Sequence, residues 1–323
     1  MNIVIADDYQ NCVKDLNCYA TLSEHQVQVY VEPVQHRDEL IDRLKDADIL
    51  VIIRERISID EELLRQLPKL RLISLVGRHS KTIDYAACTK YGVAVTHGIS
   101  SSPEAPAELT LALMLAVRRN VVLEATRMKE GKFPITLSHR LAGSTLSIYG
   151  LGVIGQIVAK AAQAMGMQIL VWGREASLNK AKELGYEIAQ SKADLFTRAD
   201  VLSLHLRYNK DTANSVSYAD LSLMKPTALF INTARAELVE EGALEKALRQ
   251  GQPGFAGVDV YENEPILDGN HPFLSMENVV CMPHLGWADI DTFELYFGEA
   301  FEQVVRYLNK ESLRLINPEV ILR

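Results

Sequence analysis

Short apolar runs alternate with amphipathic stretches along the first hundred residues. The apolar runs have the length and the valine and isoleucine content of strands, at residues 1–6, 27–31, 49–53, 70–76 and 93–96. The stretches between them have helical spacing at residues 38–45, 61–67 and 85–90. Runs that are apolar throughout are typical of strands buried on both faces. We therefore predict a small parallel sheet with helices on both sides.

A boundary follows this block. Residues 98–106 are rich in glycine, serine and proline, as loops and linkers are. The next segment, residues 107–118, is almost wholly apolar and is predicted to be a helix. A helix without a polar face is buried, either between domains or subunits or in an ordinary core. The pattern leaves these two alternatives open.

A second alternating block begins at residue 146. It predicts strands at residues 146–149, 169–172, 201–206, 228–232, 257–260 and 279–282. It predicts helices at residues 156–165, 179–184, 192–197, 218–224 and 241–249. The last segment, residues 291–308, is a predicted helix that mixes aromatic and acidic residues. We expect it to fold back on the first block, which makes that domain discontinuous.

The turn after the strand 146–149 carries the spacing G-x-G-x-x-G, formed by Gly150, Gly152 and Gly155. Gly150 permits the tight turn, Gly152 leaves room for a pyrophosphate, and Gly155 lets helix and strand pack closely. The phosphates of a dinucleotide would lie on free N–H groups at the positive end of the helix. A tight turn without a ligand can also contain three glycines, but the order of strand, turn and helix favours the dinucleotide.

Length and composition narrow the class of protein. A chain of 323 residues with 48% hydrophobic residues is long enough for two domains with cores of their own. The net charge of -8 disfavours nonspecific binding to nucleic acid or to anionic membranes. No stretch approaches the roughly 18 unbroken apolar residues of a membrane span. The four cysteines have no metal-binding spacing, so we expect free thiols, no metal and a cytoplasmic protein.

Polar side chains follow three strands of the second block. Arg235 follows one strand, Asp259 and Glu264 lie at the end of the next, and His284 follows the last. Ligands of open α/β sheets bind at the carboxyl ends of the strands, so these groups are expected at one edge. A histidine can donate the proton that reduction of a keto group needs, Glu264 can orient its ring, and Arg235 can clamp a carboxylate. A surface cation, a capped loop histidine and a turn carboxylate remain the alternative interpretations.

Four stretches of the chain, residues 141–155, 222–235, 256–265 and 283–286, carry a family resemblance. Over nearly its whole length the chain resembles the D-isomer-specific 2-hydroxyacid dehydrogenases. The resemblance implies an α/β fold of two doubly wound domains. A Rossmann cofactor domain, residues 100–288, is inserted in a discontinuous flavodoxin-like substrate domain, residues 1–99 plus 289–323. It also implies a cleft between the domains, closure on substrate, and a homodimer.

The resemblance also assigns site residues. The catalytic arginine, glutamate and histidine fall on Arg235, Glu264 and His284, and the partner of the nicotinamide carboxamide falls on Asp259. We expect the cofactor at Gly150, Gly152, Val153, Ile154, Gly155, Arg174, His205, Arg207, Thr233 and Asp259. We expect the substrate at Val76 and Gly77, whose N–H groups bind its carboxylate, and at Arg54, Arg235 and Trp287. Arg54 can equally be a solvated charge at a strand end.

The cofactor can be NAD or NADP. NAD-binding relatives place an acid after the second strand of the Rossmann domain, and this chain has Gly173 there. Arg174 and Arg207 place two cations near the ribose, which favours NADP. Glu175 weakens this interpretation, because it could neutralise Arg174 or bind the ribose hydroxyl itself.

The function predicted from these residues is transfer of hydride between a nicotinamide cofactor and a small 2-oxo or 2-hydroxy acid, such as glyoxylate, hydroxypyruvate or 3-phosphoglycerate. The same fold also occurs in corepressor-type proteins that sense dinucleotides and act by binding partners. The complete set of arginine, glutamate and histidine argues against that alternative. A methyltransferase would explain the glycine turn but neither Arg235 nor His284.

Overall fold

The computed structural model describes residues 1–34, 36–53, 56–134 and 136–320. The chain forms two compact units. The first comprises Met1–Ser101 and Asp289–Arg323, and the second comprises Ser102–Ala288. These bounds lie within two residues of the predicted ones. That the first unit binds substrate remains a prediction.

The first unit contains a five-stranded parallel sheet in the order β2-β1-β3-β4-β5. This is a flavodoxin-like order, in which the chain runs outward from β1 in both directions. The strands are β1 (Ile3–Ile5), β2 (Val27–Val29), β3 (Ile49–Ile53), β4 (Leu72–Val76) and β5 (Ala94–Thr96). The helices are α1 (Arg37–Leu44), α2 (Glu61–Gln66), α3 (Tyr85–Lys90) and, from the end of the chain, α11 (Ile290–Leu308).

Burial and capping explain these elements. Every residue of β3 and β4 is buried, as strands covered on both faces require. Asp60 and Asp84 begin their helices at defined residues, because each carboxylate accepts a hydrogen bond at 2.9 Å from an N–H of the first turn. Helix α11 packs against β4, where the hydroxyl of Ser74 donates to the carbonyl of Ala300 at 2.8 Å. The last helix therefore belongs to the first unit, as predicted.

The second unit contains a seven-stranded parallel sheet in the order β12-β11-β10-β9-β6-β7-β8. Its strands are β6 (Thr145–Tyr149), β7 (Gln168–Trp172), β8 (Glu187–Ile188), β9 (Val201–Leu204), β10 (Leu229–Asn232), β11 (Phe255–Val258) and β12 (Val279–Cys281). Its helices are α4 (Glu104–Arg118), α5 (Val121–Lys129), α6 (Val153–Ala164), α7 (Glu175–Leu184), α8 (Lys192–Arg198), α9 (Tyr218–Leu221) and α10 (Ala243–Arg249). The strand order reverses between β6 and β9, which is where dinucleotides bind in doubly wound sheets.

The apolar helix α4 has one buried face. Ala107, Leu113 and Met114 are buried against α6 and the strands β10 and β11. Leu115, on the other face, is 41% exposed. The helix therefore contributes to the core of the second unit, as the second alternative predicts, while its burial against another domain or subunit remains a prediction.

Several predicted bounds were wrong. Helix α6 begins at Val153 rather than at residue 156, so Gly155 lies inside it. The strand β11 ends at Val258, so Asp259 follows the strand instead of closing it. The sequence pattern missed α5, the short strand β8 and the 3-10 turns at Val13–Asp15 and Asn17–Leu22. These elements are short or partly exposed, and their hydrophobic periodicity is correspondingly weak. Among the described residues, no helix is both long and apolar enough to cross a membrane.

Candidate active site

The glycine turn follows β6 at the point where the sheet order reverses. Gly150 has a φ of 96°, and a Cβ there would meet the carbonyl oxygen of His205 at 2.9 Å. A Cβ at Gly155 would meet the carbonyl oxygen of Gly150 at 2.7 Å. Both positions therefore need glycine for the backbone itself, whether or not a ligand binds.

Gly152 differs from these two glycines. A Cβ at Gly152 would meet nothing within 4 Å, so the protein's own packing does not require a glycine there. Helix α6 starts directly after it, and no side chain caps the helix in the described part of the chain. The open space and the uncapped N–H groups of Val153 and Ile154 fit the pyrophosphate of a dinucleotide.

His205 follows β9 and lies beside the glycine turn. Its Cβ is 3.6 Å from the position of a Cβ on Gly155, and its ring Nε2 lies 2.8 Å from the hydroxyl of Ser203. Burial of the imidazole lowers the pKa of His205 to about 4, because the cation would lose its hydration. The predicted contact of His205 with the cofactor is compatible with this position and remains a prediction.

The end of β7 carries the residues expected near the ribose. A Cβ on Gly173 would lie 3.5 Å from the Cα of Gly150, so this strand end adjoins the glycine turn. Arg174 and Arg207 are exposed, and in the described part of the chain neither guanidinium has a hydrogen-bond or ion-pair partner. No ion pair joins Arg174 to Glu175 among these residues, and whether Glu175 acts on Arg174 or on the ribose remains a prediction.

The predicted acid–base residues are in direct contact. Nδ1 of His284 lies 2.6 Å from Oε2 of Glu264. The other oxygen of Glu264, Oε1, accepts a hydrogen bond from the N–H of Tyr261 at 2.7 Å. The side chains of His284 and Glu264 are 24% and 23% exposed. The pair is therefore fixed in orientation but remains accessible to a small molecule.

Opposing effects act on the pKa of Glu264. Burial has the largest single effect and raises it, while the hydrogen bond and the charge of His284 lower it. The N–H of Tyr261 and the guanidinium of Arg235 lower the pKa of Glu264 further, and the net pKa lies below its usual value. Glu264 is thus a carboxylate at neutral pH, and Arg235 is near enough to act on it electrostatically.

Asp259 holds the loop that carries His284. Its carboxylate is fully buried and accepts from the N–H groups of Leu285 at 2.7 Å and Gly286 at 2.9 Å. Burial raises the pKa of Asp259, while these two N–H groups act in the opposite direction. His284 itself has a φ of 55°, in the left-handed region, which turns the next two N–H groups of the chain toward Asp259. Contact of Asp259 with a nicotinamide carboxamide remains a prediction.

Arg235 lies in a tight turn after β10. The buried amide of Asn232 donates to the carbonyl of Arg235 at 2.9 Å and accepts from the N–H of Ala234 at 3.0 Å. The guanidinium donates to the carbonyl of Ala234 at 2.6 Å. In the same turn, the hydroxyl of Thr233 lies 2.7 Å from that of Thr110. Arg235 is half-buried and its backbone is firmly placed.

The structure therefore brings Arg235, Glu264 and His284 to neighbouring loops after the adjacent strands β10, β11 and β12. It places Gly150, Gly152, Val153, Ile154 and Gly155 at the switch point of the same sheet. Of the predicted substrate residues, Trp287 is half-buried in the second unit, while Val76 and Gly77 are buried at the end of β4 in the first. Arg54 lies outside the described residues.

The sequence prediction missed two supporting residues. Asn232 shapes the turn of Arg235, and Tyr261 holds Glu264 through its N–H while its hydroxyl donates to the carbonyl of Met282 at 3.0 Å. An asparagine at the end of a buried strand is a signal that could have pointed to Asn232, because a buried amide needs partners. Nothing in the sequence indicated the contact of the Tyr261 N–H with Glu264.

Comparison with known proteins agrees with this arrangement. The family model described as D-isomer specific 2-hydroxyacid dehydrogenase, NAD binding domain, matches residues 111–286. A glyoxylate reductase of Aeropyrum pernix is 37% identical over 295 residues, covering 88% of this chain and 87% of the relative.

Two solved structures are similar over almost the whole chain. A phosphoglycerate oxidoreductase from Vibrio cholerae is 49% identical with a TM-score of 0.92, covering 96% of this chain and 99% of the other. An oxidoreductase from Ralstonia solanacearum, proposed to be a D-3-phosphoglycerate dehydrogenase, is 44% identical with a TM-score of 0.94. The match covers 99% of this chain and 97% of the other. The chain therefore belongs to the D-isomer-specific 2-hydroxyacid dehydrogenase family and is an NAD(P)-dependent oxidoreductase that acts on CH–OH groups.

Proposed function

We propose that this enzyme reduces a small 2-oxo acid to the corresponding 2-hydroxy acid, with His284 as the acid–base residue, Glu264 as its partner and Arg235 as the substrate anchor. The observation that carries this proposal is the contact of 2.6 Å between His284 and Glu264. A nicotinamide dinucleotide, when bound, supplies the hydride. The remaining tasks, proton donation and orientation of the substrate, fall to residues of the chain.

The geometry of the pair selects one ring nitrogen for proton transfer. Nδ1 of His284 is engaged by Glu264, so its hydrogen is donated to that carboxylate. Nε2 then exchanges a proton with the substrate oxygen, giving it up in reduction and taking it back in oxidation. The carboxylate of Glu264 favours the protonated ring, which is the form that reduction needs.

Arg235 supplies a fixed positive charge to the same site. Its guanidinium can bind the carboxylate of a 2-oxo acid or polarise the adjacent carbonyl through its planar fork. The hydrogen bonds of Asn232 place this residue before substrate arrives, which lowers the entropic cost of orientation. We assign the substrate carboxylate also to the N–H groups of Val76 and Gly77, and we assign to Trp287 a role in the shape of the pocket.

Glyoxylate, hydroxypyruvate and 3-phosphohydroxypyruvate are the candidate substrates, because the similar proteins are named glyoxylate reductase and phosphoglycerate oxidoreductase. Steady-state rates with each acid, measured by loss of NADH or NADPH absorbance, test the proposal. We expect turnover with at least one of them. No oxidation of either cofactor with any of the three would contradict it and would favour a dinucleotide-sensing binding protein. None of the contacts described above favours such a corepressor-type role.

We infer a preference for NADP over NAD. The support is the replacement of the usual acid by Gly173 and the two exposed cations Arg174 and Arg207. Replacing Arg174 by alanine is expected to raise the KM for NADPH about tenfold and to change that for NADH little. Lys180, an exposed cation on α7 that pairs with Glu183, is the matched control. Equal effects of the Arg174 substitution on both cofactors would contradict this preference.

We also propose a homodimer formed through the second unit. The support is a run of exposed apolar side chains on and after α4, because exposed apolar patches mark interfaces between proteins. They are Leu115, Val121, Val122, Met128, Phe133 and Leu137. Sedimentation equilibrium is expected to give twice the chain mass of 36.1 kDa. A monomer at micromolar concentration would contradict this assignment.

A further inference from the structure

The segment of residues 98–100 ends the first unit before the chain enters the second. Its N–H groups all have partners in the first unit. That of Gly98 donates to the carbonyl of Gly77 at 2.7 Å. Those of Ile99 and Ser100 donate to the carboxylate of Glu299, on α11, at 3.0 and 3.2 Å, and the hydroxyl of Ser100 donates to it at 2.8 Å.

The carbonyl groups of the same segment bind a positively charged side chain. The guanidinium of Arg78 donates through Nε to the carbonyl of Ser100 at 3.1 Å and through Nη2 to that of Ile99. Arg78 directly follows the turn formed by Val76 and Gly77. One carboxylate therefore binds the N–H groups of the segment, and one guanidinium binds its carbonyls. Charged groups make such hydrogen bonds stronger than neutral ones do.

Gly98 makes the carboxylate contact possible. A Cβ at this position would overlap Oε2 of Glu299, so any larger residue displaces the carboxylate from the N–H of Ile99. No positive φ requires a glycine at residue 98, in contrast to Gly77, whose φ is 111°. Here the small residue leaves space for the side chain of Glu299.

We propose that Glu299 and Arg78 are positioning residues, which hold the turn at Val76 and Gly77 in the conformation that binds the substrate carboxylate. The inference rests on the proposed function for the role of that turn. The turn is joined to the segment 98–100 at two consecutive residues, through the carbonyl of Gly77 and the side chain of Arg78. The segment thus restrains the peptide groups that follow β4, and a small misplacement is costly in such sites.

These contacts give Arg78 a role different from that of Arg235, the proposed substrate anchor. Its Nε and Nη2 donate to backbone carbonyls, so we assign its charge to the turn. Glu299 provides the decisive test, because a carboxylate has no attraction for a carboxylate substrate. If both residues position the turn, removing either one weakens substrate binding; if Arg78 binds substrate directly, only its own removal does.

The experiment uses steady-state kinetics of the full chain with Glu299→Ala and Arg78→Met, on the best 2-oxo acid and cofactor. We expect each variant to raise the KM for the acid about tenfold, with kcat within about twofold and an unchanged Kd for the reduced cofactor. Glu294→Ala is the matched control, since Glu294 on the same helix accepts from the N–H groups of Asn17 and Cys18. It should leave the KM unchanged. Lower kcat with unchanged KM in the Glu299 variant would overturn the inference.

A double-mutant cycle makes the test specific. Gly98→Ala alone is expected to reproduce the effect of Glu299→Ala, because its methyl group displaces the carboxylate. In the Glu299→Ala background it should add almost nothing, so the two changes are strongly non-additive. Additive effects would overturn the inference. Loss of turnover in His284→Ala checks the proposed function independently, so an inactive His284 variant beside unchanged KM values would reject only this inference.

Discussion

Asp8 and Arg78, which follow strands of the first sheet, use their charges differently from the charged residues that follow strands of the second. In the first unit, Asp8 is 1% exposed and accepts from the N–H groups of Cys12 at 3.1 Å and Val13 at 3.0 Å. Arg78 likewise binds only backbone carbonyls among its described contacts. These charges fix loops, and the proposed function assigns backbone N–H groups of the first unit to the substrate.

In the second unit the charged side chains act on one another. His284 and Glu264 are hydrogen-bonded, and Arg235 lowers the pKa of Glu264. Both members of the pair remain about one quarter exposed. The proposed function thus assigns fixed N–H groups of the first sheet to substrate recognition and side chains of the second to proton transfer. The fold alone does not decide which sheet takes which role.

The largest expected effect is on the histidine of the second unit. His284→Ala should lower kcat by about 10²- to 10⁴-fold, because the proton donor is lost. The Kd for the reduced cofactor, measured by fluorescence titration, should stay nearly unchanged. His284→Asn is the companion variant, since asparagine tolerates the positive φ at this position. Turnover near that of the unmodified enzyme in either variant would contradict the assigned role.

A smaller effect is expected for the partner carboxylate. Glu264→Gln removes the charge that favours the protonated ring, so kcat for reduction should fall about 10- to 100-fold. Glu262→Gln is the control, since Glu262 contacts another imidazole, that of His271, at 3.4 Å. Equal losses of kcat in both variants would argue against a specific pair.

The third prediction concerns His205 in the second unit, whose burial makes the stability of the protein depend on pH. The folded pKa of His205, about 4, lies below its usual value of 6.5, so the unfolded chain binds more protons between these values. The contribution of neutral His205 to the free energy of unfolding is fully present above pH 6.5. It is lost as the pH falls toward 4, and the loss is at most about 3 kcal/mol. Urea unfolding of the cofactor-free protein across this range should show a weaker pH dependence in His205→Gln. Identical dependences would contradict the prediction.

The smallest effect should come from a charge of the first unit. Asp8→Ala removes a carboxylate that accepts two backbone N–H groups, and it should lower the free energy of unfolding by about 1 to 2 kcal/mol. Both kcat and KM should stay unchanged, because this group fixes a loop and takes no part in proton transfer. A fall in kcat without a fall in the free energy of unfolding would contradict the purely structural role of Asp8.

Much of the architecture was already determined by the order of residues. Alternating apolar runs and helical stretches predicted both parallel sheets and most strands, because periodicity reports burial directly. The glycine turn was also evident, since Gly150 and Gly155 permit a backbone that other residues cannot adopt. The candidate residues Arg235, Glu264 and His284 followed from their positions after strands and from the family resemblance.

Contacts between distant residues were decided only by the tertiary structure. No local pattern joins Asp259 to the N–H groups of Leu285 and Gly286, or Glu299 to the segment of residues 98–100. Such pairs lie from 26 to 200 residues apart, and packing of whole elements brings them together. A sequence determines periodicity, turns and the chemical kind of each side chain. Which neighbour a charge finds depends on the three-dimensional arrangement, because hydrogen bonds act over a few ångströms of space and not along the chain.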